Sequence, residues 1–509
     1  MKTRSLLYFV LTLCCFTAVL SGCKDNSFLD LKDPDAFDDT KFYRDSADMN
    51  GLLSASYASL RGAFDKMFFV TEMKSDNATT NDVGSSGGLY YNFVNHTVSS
   101  SNTIVAEIYN NLYFCIHRAN LVLEHVDAVQ MTDAERRRIR GEATFLRALS
   151  HFYLVRLWGP VTIMRHSLSN GKEAASVTRA PQEDVYQFII GDLKTIADSE
   201  VLPNVCAGET FGRASRTAAS AMLGRVYLQY AATLNHPEAY SNAITYLEKA
   251  VTLSSYGDLG LAYSKLFAIT GQNDPEVIFP IMYIANEAEH SNFATYFQPL
   301  GAKDLTSAAV GRGWNIGQAN LYNEFEDKNN NGFPSTDRRV ATALRKYTDG
   351  TYYTKKYVDL SSPSGYGGNL WFELRFADVY LMLAEAYERV EGNSSAKAIA
   401  YLDKVRQRPN STVLDYTTSM GNAAYAAAYP TLRDAIFHER RVELCFENQR
   451  WLDLMRLYPD PADLEKYMHS IDEPNAGGKY TNFRAYEALL PIPYDEVFLN
   501  PGLGQNPGY

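Results

Sequence analysis

Ser215-Arg-Thr-Ala-Ala-Ser-Ala-Met-Leu-Gly-Arg-Val-Tyr-Leu-Gln-Tyr230, followed by Ala243-Ile-Thr-Tyr-Leu-Glu-Lys-Ala250, is the stretch that decides the fold. Leu223-Gly224 and Tyr227 lie at helical spacing on the first segment, and Ala243, Leu247 and Ala250 on the second. Small residues facing large ones let two helices approach closely, the packing of a tetratricopeptide-type pair. The pattern returns as Leu383-Ala384 and Tyr387, then Ala398, Leu402 and Val405, so both second helices read A-x3-L-x2-[AV]. The intervals between helices differ, which predicts degenerate units and not a regular array.

Helical periodicity covers about 102–129, 133–158, 181–199, 213–234, 238–254, 373–391, 394–408 and 430–457. The chain is therefore expected to be mainly α, with a tetratricopeptide-type helical-repeat core. From about 255 to 372 the texture changes to Gly, Asn, Pro, Tyr and short β-like runs such as Val277–Ile284, which predicts a loop-rich, partly β insertion. This divides the body into a helical region at 41–254, the insertion at 255–372 and a second helical region with an extended tail at 373–509. A polar loop is expected at about 74–101, and Pro491 and Pro493 predict an extended strap over the core at Leu489–Pro493.

The N-terminus has the three parts of a secretory signal at 1–22: Lys2 and Arg4, an apolar run from Leu6 to Leu20, and small residues before a cysteine. The run is shorter than the roughly 20 residues of a membrane crossing. Leu20-Ser21-Gly22-Cys23 reads as a lipobox, which predicts cleavage and acylation at Cys23. Residues 23–40, beginning Lys24-Asp25, read as an acylated tether, so the membrane is expected to be reached through the lipid alone.

The chain carries 46% hydrophobic residues and a formal charge of −11, which becomes −13 without Lys2 and Arg4. That balance argues against nucleic acid as a partner, because phosphate binding needs clustered Lys and Arg. Cys115, Cys206 and Cys445 are widely spaced, and no disulfide framework or zinc site is expected. Catalytic motifs fail on context. Gly84-Ser85-Ser86-Gly87-Gly88 matches G-x-S-x-G, but within a polar loop and not on a strand-to-helix turn. His438-Glu439-Arg440-Arg441-Val442 lacks the second His of a zinc-protease helix. Carboxylate pairs of the glycosidase kind cannot be recognised from spacing, so a surface glycosidase remains an alternative.

No cofactor is expected, with calcium possible at one loop that reads alternatively as an Asn-rich turn. Asp327, Asn329 and Asn331 occupy the first, third and fifth places of an EF-hand-like loop, with Gly332 sixth; the twelfth place is Arg338, leaving Asp337 as substitute ligand for calcium. The other binding signal is aromatic. The chain has 35 Tyr, and Tyr90, Tyr91, Trp314, Tyr352, Tyr353, Tyr366 and Trp371 stand among Gly and Asn in loop-like stretches. Burying a sugar's C–H face of some 50 Å² on a ring contributes about 1 to 1.5 kcal/mol, so two or three rings around a shallow groove give useful affinity.

Four separated segments resemble the SusD/RagB family of Bacteroidetes outer-membrane nutrient-binding lipoproteins. They are Glu142 to Gly159, ending Leu-Trp-Gly; Ser215–Tyr230 with its Arg-Val-Tyr-Leu; Leu374 to Ala386; and His438 to Leu454 together with Leu490-Pro491-Ile492-Pro493 and Gln505-Asn506-Pro507-Gly508-Tyr509. The charged residues Glu439, Arg440, Glu443, Arg450 and Asp453 read as scaffold ion pairs and not as a catalytic site. The resemblance implies a SusD-like fold and a non-enzymatic oligosaccharide-binding role, with the protein acting as a lid on a SusC-like TonB-dependent transporter at the cell surface. It implies a peptide or glycoprotein-glycan ligand as the alternative.

Overall fold

The computed structural model describes residues 43–81, 83–84, 88–305, 310–360, 366–471 and 479–509. The signal segment, Cys23 and the tether to residue 40 lie outside the described residues, as do Ser85, Ser86 and Gly87 of the G-x-S-x-G match. Everything below concerns the compact body Asp45–Tyr509. Among its described residues, no helix is long and apolar enough to cross a membrane.

The body opens with α1 (Ser46–Thr71), capped by the Asp45 carboxylate, which accepts from the Ala47 and Asp48 amides. The short strand β1 (Ala78–Thr79) and helix α2 (Tyr91–Val94) follow, then α3 (Thr103–His125), α4 (Asp133–Trp158), α5 (Gly171–Ala174), α6 (Gln182–Ala197), α7 (Arg216–Thr233) and α8 (Ala239–Ser254). The next part contains β2 (Val277–Ile281), α9 (Phe293–Tyr296), β3 (Ile316–Gly317), β4 (Arg345–Lys346), β5 (Tyr352–Tyr353) and β6 (Trp371–Arg375). The last part includes helices α10 (Phe376–Glu391), α11 (Ala396–Arg406), α12 (Leu432–Glu443), α13 (Arg450–Leu457) and α14 (Tyr494–Leu499), with further helices at Tyr416–Met420, Ala423–Ala428 and Pro461–Ser470.

The long helices pack in chain order: α1 on α3, α3 on α4, α4 on α6, α6 on α7, α7 on α8, α8 on α10, α10 on α11. That succession of neighbours is what helix-pair repeats produce. Gly224 shows why a small residue is needed: a Cβ there would come within 2.4 Å of Leu247 Cγ. Helix α4 occupies 133–158 as the sequence predicts, because both ends are written into it. A capping box between Thr132 and Glu135 starts it, and Gly159 at φ 75° stops it.

Three expectations are corrected. The helix expected over 430–457 is two helices, α12 and α13, broken where Phe446 and Asn448 both take φ 61°. The 26-residue α1 carries Ser, Gly and Asn between its apolar positions and was not expected from periodicity, yet it buries Leu53, Leu60, Phe64, Phe68 and Phe69. The start of the expected polar loop at 74–101 is buried: Lys74, Asp76 and Asn77 lie in the interior, and Asp76 accepts from Arg450 Nε at 2.7 Å and Tyr467 Oη at 2.7 Å. At the tail, Leu490 and Ile492 are buried in the extended segment, Leu490 N–H donates to Leu157 O at 2.7 Å and Trp158 Nε1 donates to Pro491 O at 2.9 Å.

Candidate functional site

Two small sheets organise the loop-rich part. In one, β1, β3, β5 and β4 lie side by side; in the other, β2 pairs antiparallel with β6. The four-stranded sheet brings distant loops together: Thr79 faces Ile316, Gly317 faces Tyr352, and the Asn81 amide donates to Gly313 O at 2.9 Å. The segment 312–315 also runs along 295–298. Arg312 N–H donates to Thr295 O at 2.8 Å, Gly313 N–H to Gln298 O at 2.8 Å and Trp314 N–H to Tyr296 O at 2.9 Å. Gly313 takes φ 63°, and a Cβ there would come within 3.0 Å of Leu300 N, so the turn that presents Trp314 favours glycine.

These constraints place the Trp314 ring 4.2 Å from Tyr90 at 36° and 4.3 Å from Tyr296 at 29°. Tyr90 in turn stacks on Phe69, from the last turn of α1, at 5.2 Å. Phe69 is fully buried, whereas Tyr90, Trp314 and Tyr296 are each half-buried. The three outer rings thus form a fan on a rigid apolar footing, and offset, tilted ring pairs of this kind are the favoured arrangement of aromatic side chains. Polar groups edge the fan. Burial, followed by the nearby Asp65, raises the Tyr296 hydroxyl, with Glu107 adding to the rise and Arg312 opposing it. Lys66 pairs with Glu107 at 3.2 Å, and Asp65 accepts from the Asn292 amide group at 3.3 Å. Burial raises the Asp65 carboxyl, with Lys66 opposing.

Of the seven rings singled out in the sequence, the structure brings Tyr90 and Trp314 together and keeps Tyr91 beside them on α2, half-buried. Tyr352 is half-buried and lies 4.9 Å from Tyr322, with the Lys346 ammonium 5.5 Å from its ring. Tyr366 packs 4.4 Å from His290. Two assignments are corrected. Tyr353 is 5% exposed, and Trp371 is fully buried, 5.5 Å from Tyr357 in a near-parallel stack. Trp371 sits on β6, whose pairing with β2 carries its ring into the core, so neither residue offers a face to a ligand. Tyr296 is the ring that sequence reasoning missed. Its spacing gave little signal, since Phe293 and Tyr296 are three residues apart on one short helix and Phe293 is buried.

The candidate calcium loop is engaged within the fold. Both oxygens of Asp337 accept from Arg339, at 3.0 Å from Nε and 2.7 Å from Nη2, so the substitute ligand is occupied. Asn331 Oδ1 accepts from the Asp327 and Phe333 amides, and Asp327 Oδ1 accepts from the Asn329 amide at 3.0 Å. The loop is closed by its own hydrogen bonds, as an Asn-rich turn is. Among the described residues, no three His, Cys, Asp or Glu side chains are grouped to hold a metal.

The charged signature residues form an extended buried network. Arg375 donates to Glu443 at 2.7 Å, Glu276 at 2.9 Å and Glu447 at 2.7 Å; Arg408 reaches Glu276 at 2.9 Å; and Arg339 reaches Glu443 at 2.8 Å. Arg440 pairs with Asp378 at 2.8 Å and Asp453 at 2.9 Å, and Arg450 with Asp76. His438 stacks 4.0 Å from Tyr429 and pairs with Glu324, and Glu439 is held by Arg339 and Arg406. Every one of these groups is committed to a partner within the fold. Cys115 and Cys445 are buried thiols, each pushed up to about 12 by burial.

Comparisons with known proteins cover most of the chain. The family model described as SusD family matches residues 310–509, and the one described as starch-binding associating with outer membrane matches residues 27–228. SusD-like protein P2 of Formosa agariphila is 25% identical, with all of both chains covered. A laminarin-binding SusD-like protein superposes with a TM-score of 0.72 at 23% identity, over 92% of this chain and 100% of that one. Surface glycan-binding protein A of Bacteroides thetaiotaomicron, in complex with laminarihexaose, gives a TM-score of 0.71 at 20% identity, over 90% and 98%.

Proposed function

The chain belongs to the SusD/RagB family, and from that premise we propose that it is a non-catalytic surface glycan-binding lipoprotein. It captures an oligosaccharide on the Tyr90, Trp314 and Tyr296 fan and delivers it to a SusC-like TonB-dependent transporter in the outer membrane. The single observation that carries the binding role is that fan: three half-buried rings from three separate segments, held at 4.2 and 4.3 Å over a buried Phe69. Sugar rings stack on such surfaces through their C–H faces, and the hydroxyls at their edges meet Asp65, Lys66, Glu107 and Arg312. The similarity in fold to proteins that bind laminarin and laminarihexaose supports a glycan as ligand. Association with the outer membrane is what the matching family model describes. Acylation at Cys23 supplies the anchor in this reading, and the tether to residue 40 gives the body freedom to move over its transporter.

The test uses the protein lacking residues 1–23, screened on a glycan array and then on affinity gels cast with the glycans that score. Retention on at least one β-glucan or other neutral polysaccharide gel is expected, with no new reducing ends after prolonged incubation. Release of reducing ends would replace this reading with a glycosidase. Failure to retain any glycan, with retention of peptides instead, would replace it with peptide capture.

A further inference from the structure

A cavity of about 540 Å³, lined by none of the fan residues, lies between α3, the segment 162–177 that includes α5, and the C-terminal α14. That volume lies within the roughly 300 to 1,000 Å³ of small-ligand pockets, which combine mostly apolar walls with a few placed polar groups. Its walls are apolar, from Tyr113, Phe114, Met164, Leu168, Val177 and Leu499. Two of these form exposed lips, Phe114 at 54% and Leu499 at 69%, and Leu499 is flanked by the exposed Tyr494 and Phe498, whose rings stack at 5.9 Å. Large apolar side chains grouped on a surface mark a binding site more often than they mark a free face.

One carboxylate, that of Glu496, is set into this wall. Its field reaches the Tyr109 and Tyr113 hydroxyls, which places it over the cavity and not out in solvent. Burial raises its carboxyl, and the only charge that acts on it appreciably is the like-charged Asp495. No Arg or Lys among the described residues acts appreciably on the Glu496 carboxyl. A half-buried carboxylate against apolar surface is stabilised by a cation that brings its own apolar body into the pocket.

We propose that this cavity binds a small amphipathic amine, its aryl or alkyl body against Tyr113, Phe114 and Leu499 and its ammonium on Glu496. A neutral apolar ligand leaves the carboxylate uncompensated, an anion is repelled by Glu496 and Asp495, and a sugar would set its polar faces against walls whose surface is mostly apolar, although Asn110, His117, Thr162 and Asn500 also line them. The site shares no residue with the aromatic fan and stands independently of the glycan reading.

The probes are 2-(2-naphthyl)ethylammonium and the anion of similar size, 3-(2-naphthyl)propionate, titrated calorimetrically and by ligand-observed NMR into the protein lacking residues 1–23. The ammonium is expected to bind at least about tenfold tighter, the size of one charge-assisted contact. Glu496→Gln removes that preference. Gly171→Trp, at a cavity-lining position where an added Cβ meets nothing within 4 Å, fills the mouth and abolishes ammonium binding without lowering the melting temperature. Equal binding of the two probes, no binding of either, a preference that survives Glu496→Gln, or undiminished binding in Gly171→Trp overturns the proposal.

Discussion

The aromatic fan and the ion-paired scaffold use the same physical currency of contact in opposite ways. Around Arg375 and Glu443 every charge is buried and each group satisfies two or three others, so the residues depend on one another. In the fan, Trp314 and its two tyrosines keep part of their surface in water, and a buried Phe69 supports Tyr90 from beneath. Truncating a scaffold residue strands the partners that remain. Truncating a fan residue removes a ligand surface and little else. Stability and binding are therefore expected to separate cleanly between the two regions.

The largest effect tests the scaffold. Arg375→Met leaves Glu276, Glu443 and Glu447 in the interior without their shared guanidinium, and breaking a buried ion pair by removing one partner costs about 3 to 5 kcal/mol. Urea unfolding is the measurement; a midpoint close to that of the parent protein would show that water or rearrangement relieves these carboxylates and that the network is not mutually dependent. Trp371→Ala sharpens the contrast because it removes a large ring that is not part of the fan. A fully buried Trp replaced by Ala costs about 3 kcal/mol or more, while glycan affinity per folded molecule is expected to stay unchanged. Affinity lost in proportion to a direct contact would return Trp371 to the binding surface.

These two cases also show how far the sequence could be read. The helical body was legible because its signals are local: the Thr132 and Glu135 capping box, Gly159, and the Gly224 notch against Leu247 each act within or next to one helix. Trp371 was misread because Gly367, Gly368 and Asn369 before it carry a loop composition, whereas the pairing of β6 with β2 that buries it joins residues about ninety apart. The break between α12 and α13 was hidden for a similar reason, since nothing local to Phe446 or Asn448 demands a left-handed backbone. In the fan, Tyr90 and Trp314 were legible as residue types in suitable loops. Their partnership was not, and Tyr296 was not singled out at all, since it joins them only through the pairing of 312–315 with 295–298.

A smaller effect tests the fan directly. Trp314→Ala removes the central ring and the stacking of Tyr90 and Tyr296, and glycan retention is expected to weaken about tenfold, the equivalent of one ring face at about 1 to 1.5 kcal/mol. Tyr296→Ala is expected to weaken it by slightly less, with the urea midpoint near that of the parent in both. Unchanged retention in both variants would move the ligand to another surface, with Tyr352 and Tyr322 the next rings to replace.

The smallest effect is on binding, and pH exposes it. Burial alone would raise the Asp378 carboxyl, but Arg225 and Arg440 hold it at about 2, and Arg441 and Arg450 likewise hold Asp76 well below the usual carboxylate range. Because these folded-state values lie below those of the unfolded chain, their contribution to stability is present above about pH 4 and is lost as pH falls toward 2. Glu72 runs the other way. Burial raises it to about 7, so its contribution is full below about pH 4.5 and declines as pH rises through 7. Stability should therefore fall on both sides of a weakly acidic maximum, whereas a fan that binds through ring faces should give glycan affinity constant within about twofold from pH 5 to 8. An affinity that tracks the stability curve across that range would mean that the ligand is held by a titrating group such as Asp65 and not by the rings.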